Sequence, residues 1–406
     1  MSNPYGEIFK PRGAKGFAAA GFVARMPMAM APIGIVAMLS QTHGEFWLAG
    51  AVSATYALAN ALISPQISRI VDRVGQARVL IPTTIVTVLA FVALILAANQ
   101  DWPVWTLFAA ALAAALMPSF PAMIRARWSE LFRDRPELNT AFAFESAADE
   151  LVYIAGASIS VGLAVSLFPE AGLLASTIFL AGGALGFIVQ RSTEPKPRHS
   201  GEGSGRSAIR QRPVQIVTLA LIFVGATFAT AEVTAVAITE ALGEPGAASL
   251  VIGVYAVGSF VVGLVVGALN LRLALERQLL IALGVLAVTA WPLPFVGSVP
   301  MLAFAVFASG VAISPTFITA FGLIERRVPA AMLTEGITWV MTGIGIGMAL
   351  GSFVSGWVVD TFGPGNGFWV SVIAAALAFL TVLAGQAVLG GGKSANAASL
   401  RAHPAE

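Results

Sequence analysis

The chain has 406 residues, of which 57% are hydrophobic and 11% charged, with a formal net charge of +2. Soluble domains average about 25% charged residues, and surface-to-volume scaling leaves a chain this apolar no way to bury its surface within itself, whereas a bilayer solvates it directly. It has no cysteine and only three histidines, His43, His199 and His403, all in expected loops or the tail, so a disulfide framework and a thiolate metal site are excluded and a histidine relay is disfavoured.

The first residues are polar and lead into a long apolar stretch, so residues 1–15 read as a cytoplasmic segment with no cleavable signal. A membrane-crossing helix takes about 20 largely apolar residues. Twelve such spans follow, at roughly 16–40, 46–70, 78–99, 102–126, 138–167, 170–191, 213–240, 247–270, 278–297, 299–325, 332–361 and 366–390. The polar stretch 192–212, rich in Pro, Gly, Ser and base, reads as a cytoplasmic linker. It separates an N-terminal six-helix bundle, 16–191, from a C-terminal one, 213–390, and a cytoplasmic tail, 391–406, follows.

Span 1 carries Arg25 about 14 Å deep by helical rise. Pro27 and Pro32 are expected to kink it, and Met26 and Met30 are candidates for a promiscuous apolar cavity, Met being more often plain filler. Span 2 adds Tyr56 and Asn60 as cavity candidates. Span 5 places Glu145 about 9 Å deep and Asp149 and Glu150 about 15–16 Å deep. Glu145 and Asp149 share a helix face, and Glu150 points elsewhere. Ionisable groups at such depth are functional candidates. Arg25 is expected to meet Asp149 or Glu150 as a proton-release pair, or else to lock the two helices as a static ion pair.

Span 7 carries Phe228 as a cavity candidate and Glu232, which could bind a cation or a proton or stand wet near the outer mouth. Trp291 in span 9 and Trp339 in span 11 complete the cavity candidates; Trp339 needs a partner for its indole N–H. Glu325, Glu335 and Asp360 read as structural residues at wet helix ends. Gly343, Gly347, Gly351 and Ser355 in span 11, with Gly263 and Gly267 in span 8, form small-residue stripes, either sliding contacts between halves or static packing.

With the N-terminus in the cytoplasm, every Lys and Arg except Arg25 falls in a cytoplasmic loop or terminus, including Arg125 and Arg127 after span 4. The positive-inside rule thus supports N-in, C-in topology, and Trp47, Trp102, Trp105 and Trp369 fall at external helix ends. The halves echo each other. Pro118-Ser119-Phe120 in span 4 matches Pro315-Thr316-Phe317 in span 10, and Thr140 and Thr334 open the following spans.

Between spans 2 and 3 the chain reads Ser68-Arg69-Ile70-Val71-Asp72-Arg73-Val74-Gly75-Gln76-Ala77-Arg78. This resembles the signature loop of the major facilitator superfamily. Asp72, Arg73, Gly75 and Arg78 match, while Ser68 replaces a Gly and Gln76 and Ala77 replace positions often basic. The matching second-half loop, Gly267 to Arg272, is degenerate. The resemblance implies an all-α membrane fold of twelve helices in two bundles, with Asp72, Arg73, Gly75 and Arg78 as a cytoplasmic gate. Efflux members often carry Gly-Pro in helix 5; here Ala155-Gly156-Ala157-Ser158 keeps only the Gly. The run Glu145 to Glu150 is similar to helix 5 of bacterial exporters of that superfamily.

The expected function is alternating-access secondary transport in the bacterial inner membrane, as proton-coupled efflux of a small amphipathic or cationic molecule. The alternative is a proton-coupled importer, symporter or facilitator of a metabolite or sugar, which the scarcity of polar cavity residues disfavours. An enzyme or receptor is the least expected, for want of a catalytic constellation or a soluble domain. No phosphate loop marks ATP use. No cofactor or metal is expected, a proton gradient being the energy source. The expected partners are the lipid bilayer and a small-molecule substrate, with no nucleic acid, for a monomer.

Overall fold

The computed structural model describes residues 4–43, 46–100, 102–197, 207–244, 247–269 and 273–391. Arg198, His199 and Arg206 of the linker, Asn270, Leu271 and Arg272 of the second-half loop, the Trp47 side chain, and Lys393, Arg401 and His403 of the tail lie outside the described residues. Among the described residues there are helices and no strand. The chain divides into two compact units, Met1–Gly205 and Arg206–Glu406.

The first unit contains α1 (Pro4–Ile8), α2 (Ala14–Arg25), α3 (Pro27–Thr42), α4 (Phe46–Val74), α5 (Gln76–Asn99), α6 (Val104–Ala114), α7 (Phe120–Phe132), α8 (Glu137–Ser166) and α9 (Ala171–Val189). The second contains α10 (Arg212–Ala241), α11 (Ala247–Ala268), α12 (Leu275–Ala290), α13 (Val299–Gly310), α14 (Ile313–Arg327), α15 (Leu333–Phe362) and α16 (Phe368–Gly390). Large apolar side chains stand on the outside of both units: Phe304 and Phe353 are each 75% exposed, and Leu58 and Leu62 are also exposed. Apolar surface on that scale suits lipid and not water.

Among the described residues, eleven helical stretches are long and apolar enough to cross a membrane. The expected fourth span differs, because it is divided into α6 and α7. Pro118 has no N–H to continue the ladder, and Pro121 sits in the first turn of α7, where a missing N–H is tolerated. Asn60 of α4 donates Nδ2–H to the carbonyls of Ala115 and Met117 at 2.9 and 3.0 Å, serving the carbonyls that the break strands. Span 10 is interrupted at the matching place, between α13 and α14. There Ser259 of α11 bonds Ser314 at 3.1 Å, and a Cβ on Gly310 would lie 2.5 Å from the Tyr255 carbonyl. Tyr56 and Asn60 on α4, and Tyr255 and Ser259 on α11, are both spaced by four. The second long helix of each unit therefore presents one face to the broken one.

Glycines set the tightest packing. A Cβ on Gly347 would run into the Ile222 carbonyl, and one on Gly351 would sit 2.5 Å from that of Ala226. The α15 stripe thus packs on α10 within the second unit, the static-packing alternative of the two. Gly263 likewise abuts Ser314 of the same unit.

Candidate functional site

Span 1 is interrupted at Met26, before Pro27, so α2 ends on Arg25 and α3 starts at Pro27. A cation on the last turn of α2 meets the negative end of its dipole. Arg25 is 1% exposed and its fork is spread across one face of α8. Nη1 donates to Asp149 Oδ1 at 2.6 Å, Nη2 donates to Glu145 Oε2, and Nε donates to the Gly21 carbonyl at 3.3 Å. The four-residue spacing of Glu145 and Asp149 is what brings both carboxylates to one guanidinium. Gly156 lets α8 come this close: a Cβ there would lie 2.9 Å from that of Ala29 on α3.

A second arginine completes the cluster. Arg125 of α7 is fully buried and donates Nη2–H to Asp149 Oδ2 at 2.8 Å. Each Asp149 oxygen therefore holds one arginine. Trp128, also fully buried, donates its indole N–H to Glu145 Oε1 at 2.7 Å. Two guanidiniums and two carboxylates balance formally, which is the condition for keeping such charges out of water. Glu150, on another side of α8, is half-buried.

Arg125 and Arg127, counted among the cytoplasmic loop bases, lie instead within α7 and are buried. Arg127 donates Nε–H to Gln76 Oε1 at 2.8 Å, Nη1–H to the Gln190 carbonyl at 2.8 Å and to Thr193 Oγ1 at 2.9 Å, and Nη2–H to the Phe187 carbonyl at 3.2 Å. Its guanidinium lies 3.7 Å from the Phe187 ring centroid. It caps the C-terminus of α9, whose last carbonyls lack intrahelical partners.

The signature loop is shaped by the same neighbourhood. Gly75 turns the chain at φ +103°, a conformation that favours glycine, and α5 starts directly after it. Glu194, beyond α9, accepts the Ala77 N–H at 2.9 Å, placing a carboxylate at the positive end of α5. Gln76, where a base is more usual, is buried and joins Arg127 to the Met123 carbonyl at 3.0 Å. Asp72 is half-buried, and Arg73 and Arg78 are exposed.

The cavity candidates separate. Met26 and Met30 are packed with Val152, Phe22, Ala29, Ala175 and Phe179, so they fill a core instead of lining an open pocket. Tyr56 is buried with its hydroxyl 3.6 Å from Met117 Sδ, and Asn60 serves the helix break. Trp291 is exposed and meets Trp369 edge-on at 5.7 Å, an aromatic cluster of the interfacial kind. Trp339 donates its N–H to Glu335 Oε1 at 3.3 Å. Glu335, expected wet, is 1% exposed and also accepts the Ser207 hydroxyl and, at 3.0 Å, the Ala208 N–H. Glu232 of α10 lines a small apolar recess with Ala231, Ala235, Val251, Ile252, Tyr255 and Val306. One turn earlier Phe228 meets the Tyr255 ring at 5.4 Å.

A sequence profile of the Major Facilitator Superfamily matches residues 17–237 and again 217–398. No curated protein matches the chain. Among solved structures, a bacterial homologue of the iron transporter ferroportin, outward-facing, is similar at 16% identity and a TM-score of 0.73, over 91% of this chain and 98% of that one. The human organic anion transporter MFSD10 (TETRAN) is similar at 12% identity and a TM-score of 0.67, over 92% and 100%. The E. coli fucose:proton symporter FucP is similar at 17% identity and a TM-score of 0.66, over 90% and 97%. At these identities the likeness is one of fold.

Proposed function

We propose, for a chain that belongs to the Major Facilitator Superfamily, proton-coupled efflux of a small amphipathic or cationic molecule by alternating access. It works as a twelve-span, N-in and C-in protein of a bacterial inner membrane. The observation that carries this reading is the buried cluster of Arg25, Arg125, Glu145 and Asp149.

In the resting cluster charge is balanced, and α2, α7 and α8 are pinned to one another. A proton arriving on a carboxylate leaves two cations facing one anion. The surplus positive charge in a dry interior is expensive, so the helices separate or the site admits water. Loss of the proton to the other side restores the pinned state. Binding and release of one proton thus select between two packings, which is what coupling requires. Glu232, in an apolar recess beside the Phe228–Tyr255 ring pair, supplies the chemistry for a lipophilic cation: one carboxylate and aromatic faces. The signature-loop residues Asp72, Arg73, Gly75 and Arg78 serve as the cytoplasmic gate, with Glu194 bracing the turn.

The test is transport in proteoliposomes over a compound panel, Na⁺-free, with and without an inside-acid gradient and with protein-free liposomes as control. Protein-dependent accumulation driven by the inside-acid gradient supports antiport. Accumulation only under an outside-acid gradient means symport and rejects efflux. Equal uptake with and without either gradient rejects proton coupling.

A further inference from the structure

We propose that Trp128 is a positioning residue of the coupling cluster, holding Glu145 so that its second oxygen meets Arg25. The inference rests on the proton-coupled reading of that cluster. Trp128 lies on α7, three residues beyond Arg125, so the two side chains share a helix face. Its N–H donates to Glu145 Oε1 at 2.7 Å, while Arg25 takes Oε2. Indole nitrogen is a donor only, so this contact fixes the carboxylate and cannot be satisfied by turning the ring into an acceptor.

The ring itself has little freedom. It is fully buried, meeting Phe17 at 4.5 Å, stacking on Phe132 at 5.9 Å, and meeting Phe9 at 6.0 Å. Phe17 stands on α2, two turns before Arg25. One side chain therefore ties together the three helices that carry the charges: it rises from α7, packs on α2 and bonds α8. Phe9, in the segment following α1, also meets Phe144 of α8 at 5.2 Å and closes the far side of the ring.

The charged groups facing Glu145 are Arg25 from α2 and, one turn along α8, Asp149, which Arg125 of α7 holds in turn. Without the indole N–H the carboxylate is held from the Arg25 side alone. It can then rotate, and proton arrival is no longer tied to release of Arg25. A residue of mere packing would lower the amount of folded protein or all transport modes together. A positioning residue lowers the driven mode selectively.

The experiment uses the full chain in proteoliposomes with ethidium as probe. Gradient-driven uptake and gradient-independent exchange are measured across a pH series for wild type, Trp128→Phe, Glu145→Gln and the double variant. We expect Trp128→Phe to lower the ratio of driven to exchange rate about tenfold, the worth of one hydrogen bond to a charged group, and to move the pH profile. In the Glu145→Gln background the same change should have no further effect on that ratio. Glu145→Asp, which draws the carboxylate back from an intact indole, should reproduce the loss and serves if Trp128→Phe does not fold. An unchanged ratio and pH profile, equal loss of driven uptake and exchange, or a full-sized effect in the Glu145→Gln background overturns the inference. Wild-type protein that ignores the gradient overturns the transport reading first, and is seen before any variant is compared.

Discussion

Replacing Asp149 with Asn tests the cluster as a stability element. Asp149 accepts from Arg25 at 2.6 Å and from Arg125 at 2.8 Å, and both arginines are at most 1% exposed. The substitution keeps shape and removes the charge of the one carboxylate that accepts from both buried guanidiniums. Breaking a buried ion pair by removing one partner costs about 3–5 kcal/mol. In a unit of roughly 200 residues each kcal/mol moves the thermal midpoint by about 2–4 °C, so Asp149→Asn lowers the apparent midpoint by about 6–20 °C. The assay is thermal unfolding of the purified protein in one detergent, beside Glu130→Gln. Glu130 pairs with Arg133 at 3.4 Å with both side chains about one-third exposed, and such pairs are worth about 0–1 kcal/mol. Should Asp149→Asn shift the midpoint no further than Glu130→Gln, the cluster is effectively solvated and the argument from burial fails.

Other substitutions read other parts of the account. Gly347→Val should abolish folding or expression, because even a Cβ meets the Ile222 carbonyl, whereas Gly345→Val, with open space around it, should be tolerated; fluorescence-detected gel filtration separates the two. Asn60→Leu removes both donors at the break in span 4 and should destabilise by about 1–3 kcal/mol for each carbonyl left unsatisfied, read as a midpoint shift. Arg127→Lys keeps the charge but not the planar fork that serves Gln76, Phe187, Gln190 and Thr193, so it should be nearly as damaging as Arg127→Ala; wild-type stability in the Lys variant would show that charge alone suffices there.

The pairing of Arg25 with Asp149 was legible because helical rise puts the two at one level. Rise put Glu150 there as well and Glu145 at a shallower one, so that Glu145 and not Glu150 is the second carboxylate on Arg25 was not legible. The other half of the cluster was not legible either. Arg125 and Arg127 sit near a span end with more bases after them, where charge counting assigns every base to water. Counting cannot tell a wet arginine from one turned inward. The available signal was periodicity: Arg125, Trp128 and Phe132 fall at i, i+3 and i+7, one face of a helix that also carries buried aromatics. The division of span 4 was half visible, since two prolines in four residues announce a break. That Asn60, 55 and 57 residues before the two carbonyls, would serve them required the tertiary fold. Composition left Met26 and Met30 between cavity lining and filler, and the packing of α8 at Gly156 and of α9 against them favours filler.

Simultaneous recording of lumenal pH and ethidium uptake in acid-loaded proteoliposomes tests proton exchange at the Arg25 cluster most directly. The account predicts that adding ethidium outside makes the lumen more alkaline as the dye enters, and that the Glu145→Gln/Asp149→Asn double variant loses this linked proton flux. Dye entry with no change in lumenal pH, or an undiminished proton flux in the double variant, would contradict it.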